Sequence, residues 1–381
     1  PTPRKAVSWG SAIACRWPKD DPKTYFAKLR SMNRKRVSQG KSAYPSPVQA
    51  CGPYREKLVD MHQTVIPMGD IATKAVLGGN PSLEAVRGGP TYAGSTKVLP
   101  TYHPRVFQKQ PKFLPVFQRD IAKGIRHHKD KLRWKDPLVH YNPTPDQARQ
   151  FFERARKEKW MLTYDVETDG VDCLTADLRC VGIGTDKEVL ILGFVSIDGT
   201  TRFYSSSEEE QIRSLLREVL DEDGSLVCGH NAGYFDRIVV EQHLGVTPKP
   251  LLDTILLHKL AASEYRHSLA FVSSYFLDTP AWKADHTAVT AKTDRELHEY
   301  CANDVAATAR IVVPIRDLAK KRNQLHLYKH DAKLQDICAG MRRLGIRVDE
   351  GRRFTHEQAL IKEAARWLNV IHEHAPGLNP R

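Results

Sequence analysis

The stretch YDVETDG (164–170) closes a run of apolar residues, and it decides the fold of the second half of the chain. The run over 160–166 predicts a buried strand. Side chains alternate along a strand, so Asp165 and Glu167 lie on the same face. Two neighbouring buried carboxylates repel each other and lose hydration, and a divalent cation neutralises such a pair. The alternative is an exposed strand end, where water solvates both groups.

The surrounding pattern predicts an α/β fold that begins near residue 147. Short apolar runs rich in β-branched residues alternate with amphipathic segments, and serines before Glu208 form a capping box. The predicted strands cover 160–166, 178–184, 189–195 and 225–231. The predicted helices cover 147–158, 208–220, 234–243, 252–262, 267–276, 293–322, 330–344 and 354–375.

Two further stretches carry acidic residues in positions that suit a shared site. GHNAGYFDRIVV (229–240) ends a strand and opens a helix, with Asp236 in the first helical turn. YCANDVAATARI (300–311) places Tyr300 and Asp304 one turn apart on a helix. Taken singly, these residues also fit a helix-dipole aspartate and an ordinary tyrosine–carboxylate surface pair.

Together the three stretches resemble the DEDDy 3′–5′ exonucleases of the DnaQ-like superfamily, which have a ribonuclease-H-like fold. The resemblance covers about 150–320, and it predicts an exonuclease domain over 147–325. It implies two Mg²⁺ or Mn²⁺ ions that activate the attacking water and stabilise the leaving 3′-oxygen. The implied metal ligands are Asp165, Glu167, Asp236 and Asp304.

The same resemblance implies how the substrate is held. Tyr300 would orient the attacking water, and Glu167 would also contact the terminal 3′-hydroxyl. Asn231 corresponds to a family asparagine near the entering strand. Tyr234 or Phe235 could stack on a frayed base, although either residue also suits a core position.

The segment after this domain, 334–371, contains the turn LGIRVDEGR and resembles the entry to the thumb of family A DNA polymerases. We therefore expect 326–381 to be the truncated start of a polymerase domain. The polymerase palm and fingers would follow Arg381, so this chain would be the front portion of a longer polypeptide. The alternative to a polymerase thumb is any helical hairpin that contains such a turn. The alternative to a proofreading exonuclease is a ribonuclease-D-like exonuclease.

Charge is distributed unevenly along the chain, whose formal net charge is +13. Residues 1–150 contain 27 Lys and Arg against 10 Asp and Glu, a net charge of +17, and the remainder has a net charge of −4. A strongly basic first part predicts binding to a polyanion, and DNA is the partner that suits the exonuclease motifs. The alternative is a basic surface that serves solubility.

This first part resembles family 4 and 5 uracil-DNA glycosylases. The similar stretches are CRWPKDDP (15–22), VIPMGDIATKAVLGG (65–79), VRGGP (86–90) and KVLPTYHPRVFQKQPKFLPVFQRDIAKGI (97–125). We expect a glycosylase-like domain over 1–127 that lacks its N-terminal part, followed by a linker over 128–146. A strand over 97–101 and helices over 52–66 and 113–127 are predicted within it, and residues 1–60 read as largely irregular.

The glycosylase resemblance implies cysteine ligands for a cluster and a uracil-binding histidine, but one position of this sequence departs from the family pattern. Cys15 and Cys51 fall at two of the four positions that hold a [4Fe–4S] cluster in those families, and two cysteines cannot hold one. His103 matches the histidine that contacts a flipped uracil, but Ser11 stands where the family has an asparagine. A DNA-binding module is therefore expected, with phosphate contacts from residues that include Arg105, Lys109 and Lys112.

Composition excludes several other classes of protein. Apolar runs are too short for a transmembrane span, and the N-terminus lacks the pattern of a signal peptide. Seven cysteines without a CxxC motif favour a reducing compartment. A glycosylase-like module ahead of an exonuclease resembles certain bacteriophage DNA polymerases, which implies the cytoplasm of a bacterial host.

Three functional hypotheses follow. The chain is a proofreading 3′–5′ exonuclease of a DNA polymerase, a base-excision uracil-DNA glycosylase, or a DNA-binding module without activity. The complete set of four carboxylates and Tyr300 favours the first hypothesis, and Ser11 disfavours the second.

Overall fold

The computed structural model describes residues 22–129, 133–221, 226–248, 251–284 and 291–375. Two compact units are present, and the division between them lies between Gln335 and Asp336. Within these ranges, no helix combines the length and the apolar character needed to cross a membrane.

The N-terminal region combines short helices with a small sheet. Its strands have the order β1-β3-β2, in which β1 is parallel to β3 and β2 is antiparallel to it. The strands are β1 (Thr64–Val65), β2 (Thr91–Ala93) and β3 (Thr96–Val98). The helices are α1 (Pro22–Ser38), α2 (Pro47–Ala50), α3 (Gly52–Asp60), α4 (Asp70–Leu77), α5 (Leu83–Val86), α6 (Arg105–Lys109) and α7 (Leu114–Lys129).

Irregular structure over residues 1–60 is a wrong prediction for the described part of that segment. The prolines there start helices, since Pro22 and Pro47 open α1 and α2 and Pro53 lies in the first turn of α3. Proline suits the first helical turn, where its missing N–H has no partner to lose. The helix predicted over 52–66 ends at Asp60, and β1 follows it.

The second part of the first unit contains a six-stranded mixed sheet with the order β4-β7-β6-β5-β8-β9. Strand β5 is antiparallel to β6 and parallel to β8, so it lies inside the sheet. The strands are β4 (Leu138–Tyr141), β5 (Leu162–Thr168), β6 (Leu178–Gly184), β7 (Glu188–Gly193), β8 (Val227–Gly229) and β9 (Leu251–Asp253). This mixed α/β sheet fits the ribonuclease-H-like fold that the sequence predicts.

Strand β4 lies in the segment 128–146, where the sequence predicts a linker. It pairs in parallel with β7, with Leu138 opposite Glu188 and Tyr141 opposite Ile191, and forms an edge of the sheet. The four-residue strand is too short to give a clear alternating pattern, and charged and proline-rich sequence surrounds it. The predicted linker therefore contributes backbone to the sheet.

The remaining helices lie within a few residues of their predicted positions. The helix over Asp294–Lys321 is the longest of the described helices and is capped by Thr293, whose side chain accepts the N–H of Glu296. These helices are α8 (Pro145–Lys157), α9 (Ser206–Asp221), α10 (Asp236–Leu244), α11 (Thr254–Ala261), α12 (Leu269–Phe276), α13 (Asp294–Lys321), α14 (Tyr328–Leu344) and α15 (Glu350–His374).

The large sheet is covered on both faces. On one face, Tyr164 and Val166 of β5 belong to a core formed with residues of α8, α9 and α10. On the other face, Cys180 and Ile191 pack with residues of α13. A Cβ atom at Gly182 of β6 would come within 2.6 Å of the Sγ atom of Cys301, so only glycine allows α13 to approach the sheet this closely.

A buried polar interface joins the N-terminal region to α12. Arg87 is 1% exposed, and its Nη1 donates to both carboxylate oxygens of Asp120 at 2.8 and 2.9 Å. Its Nη2 donates to Ser274 Oγ at 2.7 Å. Lys123 donates to the backbone carbonyls of Ser274 and Leu277. Because these groups are buried, each depends on its partners for hydrogen bonds.

Asp120→Asn tests how much this interface contributes to the free energy of unfolding. The variant leaves the guanidinium of Arg87 buried without a carboxylate, so we expect the free energy of unfolding to fall by about 3 kcal/mol or more. Urea denaturation followed by circular dichroism measures the change. Lys74→Ala is the control, since it breaks an exposed pair with Asp70 (2.9 Å) and should cost less than about 1 kcal/mol. Equal losses in the two variants would contradict this account.

Candidate active site

Strand β5 presents two carboxylates to helix α13. Asp165 and Glu167 lie on the face opposite the core that takes up Tyr164 and Val166. A carboxylate oxygen of Asp165, one of Glu167 and the Sγ atom of Cys301 lie within 4.8 Å of one another. The structure therefore brings the two strand carboxylates together beside the start of α13.

Helix α13 brings Tyr300 and Asp304 to the same place. The Sγ atom of Cys301 donates to the backbone oxygen of Asp165 at 3.8 Å, which fixes the helix against the strand. Asp304 is 5% exposed, and Lys283 contacts both its carboxylate and the hydroxyl of Tyr300. The tyrosine and the aspartate thus lie side by side, as their helical spacing predicts.

Asp236 joins the site from the start of α10. Its Oδ1 atom accepts the backbone N–H of Val166 at 2.9 Å, and the residue is 5% exposed. The hydrogen bond ties the first turn of α10 to the middle of β5. Asp236 therefore approaches the strand that carries Asp165 and Glu167.

The pKa values show that this negative charge is poorly compensated. Burial, and then the charges of Asp236 and Asp304, raise the pKa of Asp165 well above its ordinary value. Burial and the charge of Asp165 do the same for Glu167, and Lys283 only partly opposes both shifts. Burial raises the pKa of Asp236 to about 7, although backbone hydrogen bonds oppose the shift. Divalent cations would relieve this repulsion.

The donor atoms fit hard cations. All four acidic side chains offer oxygen ligands, which Mg²⁺ and Mn²⁺ prefer. A hydrogen bond with Cys180, together with burial, raises the pKa of the Cys301 thiol well above its ordinary value. A protonated thiol is a poor metal ligand. The carboxylates of Asp165, Glu167, Asp236 and Asp304 are therefore the residues that could hold the metals.

Two residues that the sequence does not single out reach the same site. Trp282 Nε1 donates to Asp304 Oδ1 at 2.8 Å, and Lys283 Nζ donates to Asp304 Oδ2 at 2.6 Å. Both residues belong to a short 3₁₀ turn, Trp282–Ala284. The surrounding sequence, TPAWKAD (279–285), has no periodicity and no family motif, so nothing in it predicts this contact.

Asn231 lies in a turn held by a buried aspartate that the sequence analysis missed. Asp253 accepts the backbone N–H groups of Asn231 at 2.8 Å and Gly233 at 3.1 Å, and the amide of Gln335 at 2.8 Å. Asn231 has φ +65°, a left-handed conformation that asparagine adopts more readily than most residues. An aspartate in the first turn of the helix predicted over 252–262 was the available signal, since Asp253 caps α11.

The aromatic residues of this turn differ in exposure. Phe235 packs against the core, whereas the side chain of Tyr234 is 50% exposed. His258 is buried and contacts His267 through their Nδ1 atoms at 2.7 Å, in keeping with a structural role.

The residues of the N-terminal region that were predicted to bind DNA or a cluster lie on different helices and strands from the four carboxylates of the site. His103, Arg105, Lys109 and Lys112 are exposed, three of them in or beside α6. The Nδ1 atom of His103 accepts the backbone N–H of Arg105 at 3.1 Å. Cys51 is buried between α2 and α3. Cys15 and Ser11 lie outside the described residues.

Comparison with known protein families indicates which class of enzyme this domain belongs to. Residues 139–319 match the family model of a 3′–5′ exonuclease. No curated protein is found to match the chain.

Several solved nucleases are similar to about half of the chain. NrnC of Brucella melitensis is 19% identical with a TM-score of 0.42, over 55% of this chain and 94% of that one. Ribonuclease D of Escherichia coli, an exoribonuclease involved in structured RNA processing, is 16% identical with a TM-score of 0.41, over 53% and 51%. These similarities are weak, and it is the family match that identifies the domain.

Asp165→Asn tests the electrostatic account of the site without any assay of activity. Because folding raises the pKa of Asp165, the charged carboxylate destabilises the fold, increasingly as the pH rises above about 4. In EDTA the variant should melt about 2–4 °C higher at pH 8 and nearly unchanged at pH 4.5, by differential scanning calorimetry.

Asp198→Asn is the control of opposite sign. Hydrogen bonds from Ser196 and Thr200 lower the pKa of Asp198 to about 2, so its charge favours the folded state. This variant should show no rise at pH 8. A rise in both variants, or in neither, would refute the role assigned to the buried carboxylates.

Proposed function

We propose that this chain, whose residues 139–319 carry the 3′–5′ exonuclease domain, removes 3′-terminal nucleotides from DNA as the proofreading part of a DNA polymerase. One observation carries the proposal. Four acidic side chains, of which Asp165, Glu167 and Asp236 have raised pKa values, converge beside a tyrosine hydroxyl on a sheet of the fold expected for such nucleases.

The metal ions would be held by Asp165, Glu167, Asp236 and Asp304. Bound divalent cations would activate the attacking water and neutralise charge on the scissile phosphate and the leaving oxygen. Burial, with the charges of Asp304 and Glu167, raises the pKa of Tyr300, so its side chain stays a neutral hydroxyl. Such a hydroxyl orients the water through hydrogen bonds and does not act as a phenolate base.

Substrate contacts follow from the same placement. Glu167 would accept a hydrogen bond from the terminal 3′-hydroxyl, and Asn231 would contact the entering strand. Tyr234 offers an exposed ring on which the terminal base could stack. These roles need an unpaired 3′ end, which a mismatched primer terminus provides.

The N-terminal region is proposed to be a glycosylase-derived DNA-binding module. Its exposed basic residues Arg105, Lys109 and Lys112 support contacts to phosphates. A [4Fe–4S] cluster would require cysteines besides Cys15 and Cys51 in a longer chain. Residues 326–381 are proposed to be the start of a family A polymerase domain. As part of a phage polymerase, the chain would act in the cytoplasm of the bacterial host.

A ribonuclease-D-like exonuclease remains the second candidate, since the carboxylates and Tyr300 would serve RNA as well as DNA. The two candidates differ in the sugar that they accept. A 2′-hydroxyl next to the terminal phosphate is the chemical feature by which a site can distinguish RNA from DNA.

Digestion of 5′-labelled single-stranded DNA tests the proposed reaction. With Mg²⁺ the wild-type chain should give a ladder that shortens from the 3′ end, and EDTA should abolish it. Asp165→Asn and Glu167→Gln should lower the rate about a thousandfold or more, because each removes a metal ligand. Tyr300→Phe should lower the rate about a hundredfold through loss of the orienting hydroxyl.

Tyr141→Phe is the matched control for Tyr300→Phe, since Tyr141 lies in β4, which β7 and β6 separate from β5, and the variant should leave the rate unchanged. An RNA of the same sequence, digested in parallel, separates the two candidates. Faster digestion of RNA would favour the ribonuclease-D-like candidate over proofreading. No digestion of either substrate by folded protein would refute both.

The basic residues of the N-terminal region can be tested through the salt dependence of binding. Arg105→Ala, Lys109→Ala and Lys112→Ala combined should weaken DNA binding at low salt and reduce the slope of log K against log[salt] by about two to three. Fluorescence anisotropy of a labelled duplex and single strand measures both quantities. Lys157, Lys187 and Arg202, replaced together by alanine, control for the loss of three exposed positive charges. Equal slopes for the two triple variants would contradict a specific role.

A further inference from the structure

Both oxygens of Asp304 are already occupied by protein donors. Trp282 Nε1 donates to Oδ1 at 2.8 Å, and Lys283 Nζ donates to Oδ2 at 2.6 Å. The same ammonium lies 2.5 Å from the Tyr300 hydroxyl and 4.4 Å from the centroid of its ring. A lysine thus contacts the carboxylate and the tyrosine that the proposed reaction requires.

The ammonium of Lys283 lies among the acidic side chains of the site and partly offsets their negative charge. It opposes the charge that raises the pKa of Asp165 and Glu167, and it makes a salt bridge to Asp304 with a side chain that is 16% exposed. A divalent cation would be attracted to the same oxygens. Lysine carries a compact charge on a flexible stem, so it can leave when a stronger cation arrives.

The segment that carries Lys283 is held by the N-terminal region. Asp278 accepts hydrogen bonds from His127 at 2.6 Å and Arg126 at 3.1 Å, both on α7. The backbone N–H of Ala281 donates to the carbonyl of Pro90 at 3.3 Å. A Cβ atom at Gly89 would lie 3.0 Å from the backbone nitrogen of Ala281. Residues of the VRGGP motif and of α7 therefore define the path of segment 278–283.

Trp282 is fixed from a second side. Its ring stacks on that of Trp134 with centroids 6.0 Å apart, and Arg310 of α13 lies 3.9 Å from the Trp134 ring centroid. The indole N–H is thereby aimed at Asp304. Segment 278–283 thus connects contacts of the N-terminal region directly to the carboxylate site.

We propose that Lys283 is a positioning residue that holds Asp304 and Tyr300 in place until a divalent cation displaces it, and that the N-terminal region sets this contact through segment 278–283. The inference rests on the proposed metal-dependent nuclease. Displacement of Lys283 would release Oδ2 of Asp304 and the hydroxyl of Tyr300, and loss of the Trp282 hydrogen bond would release Oδ1 as well. The N-terminal region then influences how readily the site takes up metal.

Binding of Mn²⁺, measured by isothermal titration calorimetry without DNA, tests the competition. Lys283→Gln removes the competing charge and should bind Mn²⁺ about fivefold more tightly than wild type. Lys283→Arg keeps a cation at the site and should bind nearly as weakly as wild type. Lys187→Gln removes an exposed lysine from the turn before β7 and should leave the affinity unchanged.

Tryptophan fluorescence reports the displacement itself. Titration of the wild-type chain with Mg²⁺ should change the emission as the indole N–H of Trp282 loses Asp304, and Trp282→Phe should remove most of that change. The chain has 6 tryptophans, so the variant identifies which one responds. Gly89→Ala, which presses on the backbone of Ala281, should shift the Mg²⁺ midpoint without altering any residue of the carboxylate site.

The outcomes distinguish this inference from the proposed function. If the wild-type chain binds no Mn²⁺ and digests no DNA, the metal-dependent nuclease itself is wrong. If the wild-type chain binds Mn²⁺ but Lys283→Gln binds it with the same affinity, the positioning role of Lys283 is overturned. An unchanged midpoint in folded Gly89→Ala would overturn the influence of the N-terminal region.

Discussion

The close approach of α13 to strands β5 and β6 is the constraint on which the site depends. It is possible because Gly182 offers no side chain at the point where Cys301 and Val305 pack against the sheet. A helix held further away could not place Tyr300 and Asp304 next to the carboxylates of β5. The same proximity removes water from the acidic groups and so raises their pKa values. A divalent cation bound between these groups would offset the repulsion among them.

Residues whose chemistry and spacing are local could be identified from the sequence. The alternation along β5 placed Asp165 and Glu167 on one face, and one helical turn placed Tyr300 beside Asp304. The family motifs added Asp236, whose link to Val166 is a contact between residues 70 positions apart. Local patterns do not determine such a contact, but a known arrangement of motifs does.

Other contacts left no trace in the sequence. Lys283 reaches Asp304 from a turn without periodicity, and Arg87 pairs with Asp120 from 33 residues away. The charged, proline-bearing and non-periodic segment 128–146 was expected to be a linker between separate domains. Buried polar pairs have no characteristic spacing, so the interface that places the N-terminal region and the six-stranded sheet in one compact unit could not be predicted from the pattern.

Strand β4 limits where the polypeptide can be divided. The strand was expected to belong to a linker, but its backbone completes an edge of the sheet beside β7. A fragment that begins at residue 147 would leave the N–H and C=O groups on that side of β7 without their strand partners. Such an exposed edge is a template for pairing with another chain. The nuclease part is therefore a self-contained fragment only if it begins upstream of Leu138, and a shorter one would be prone to aggregate.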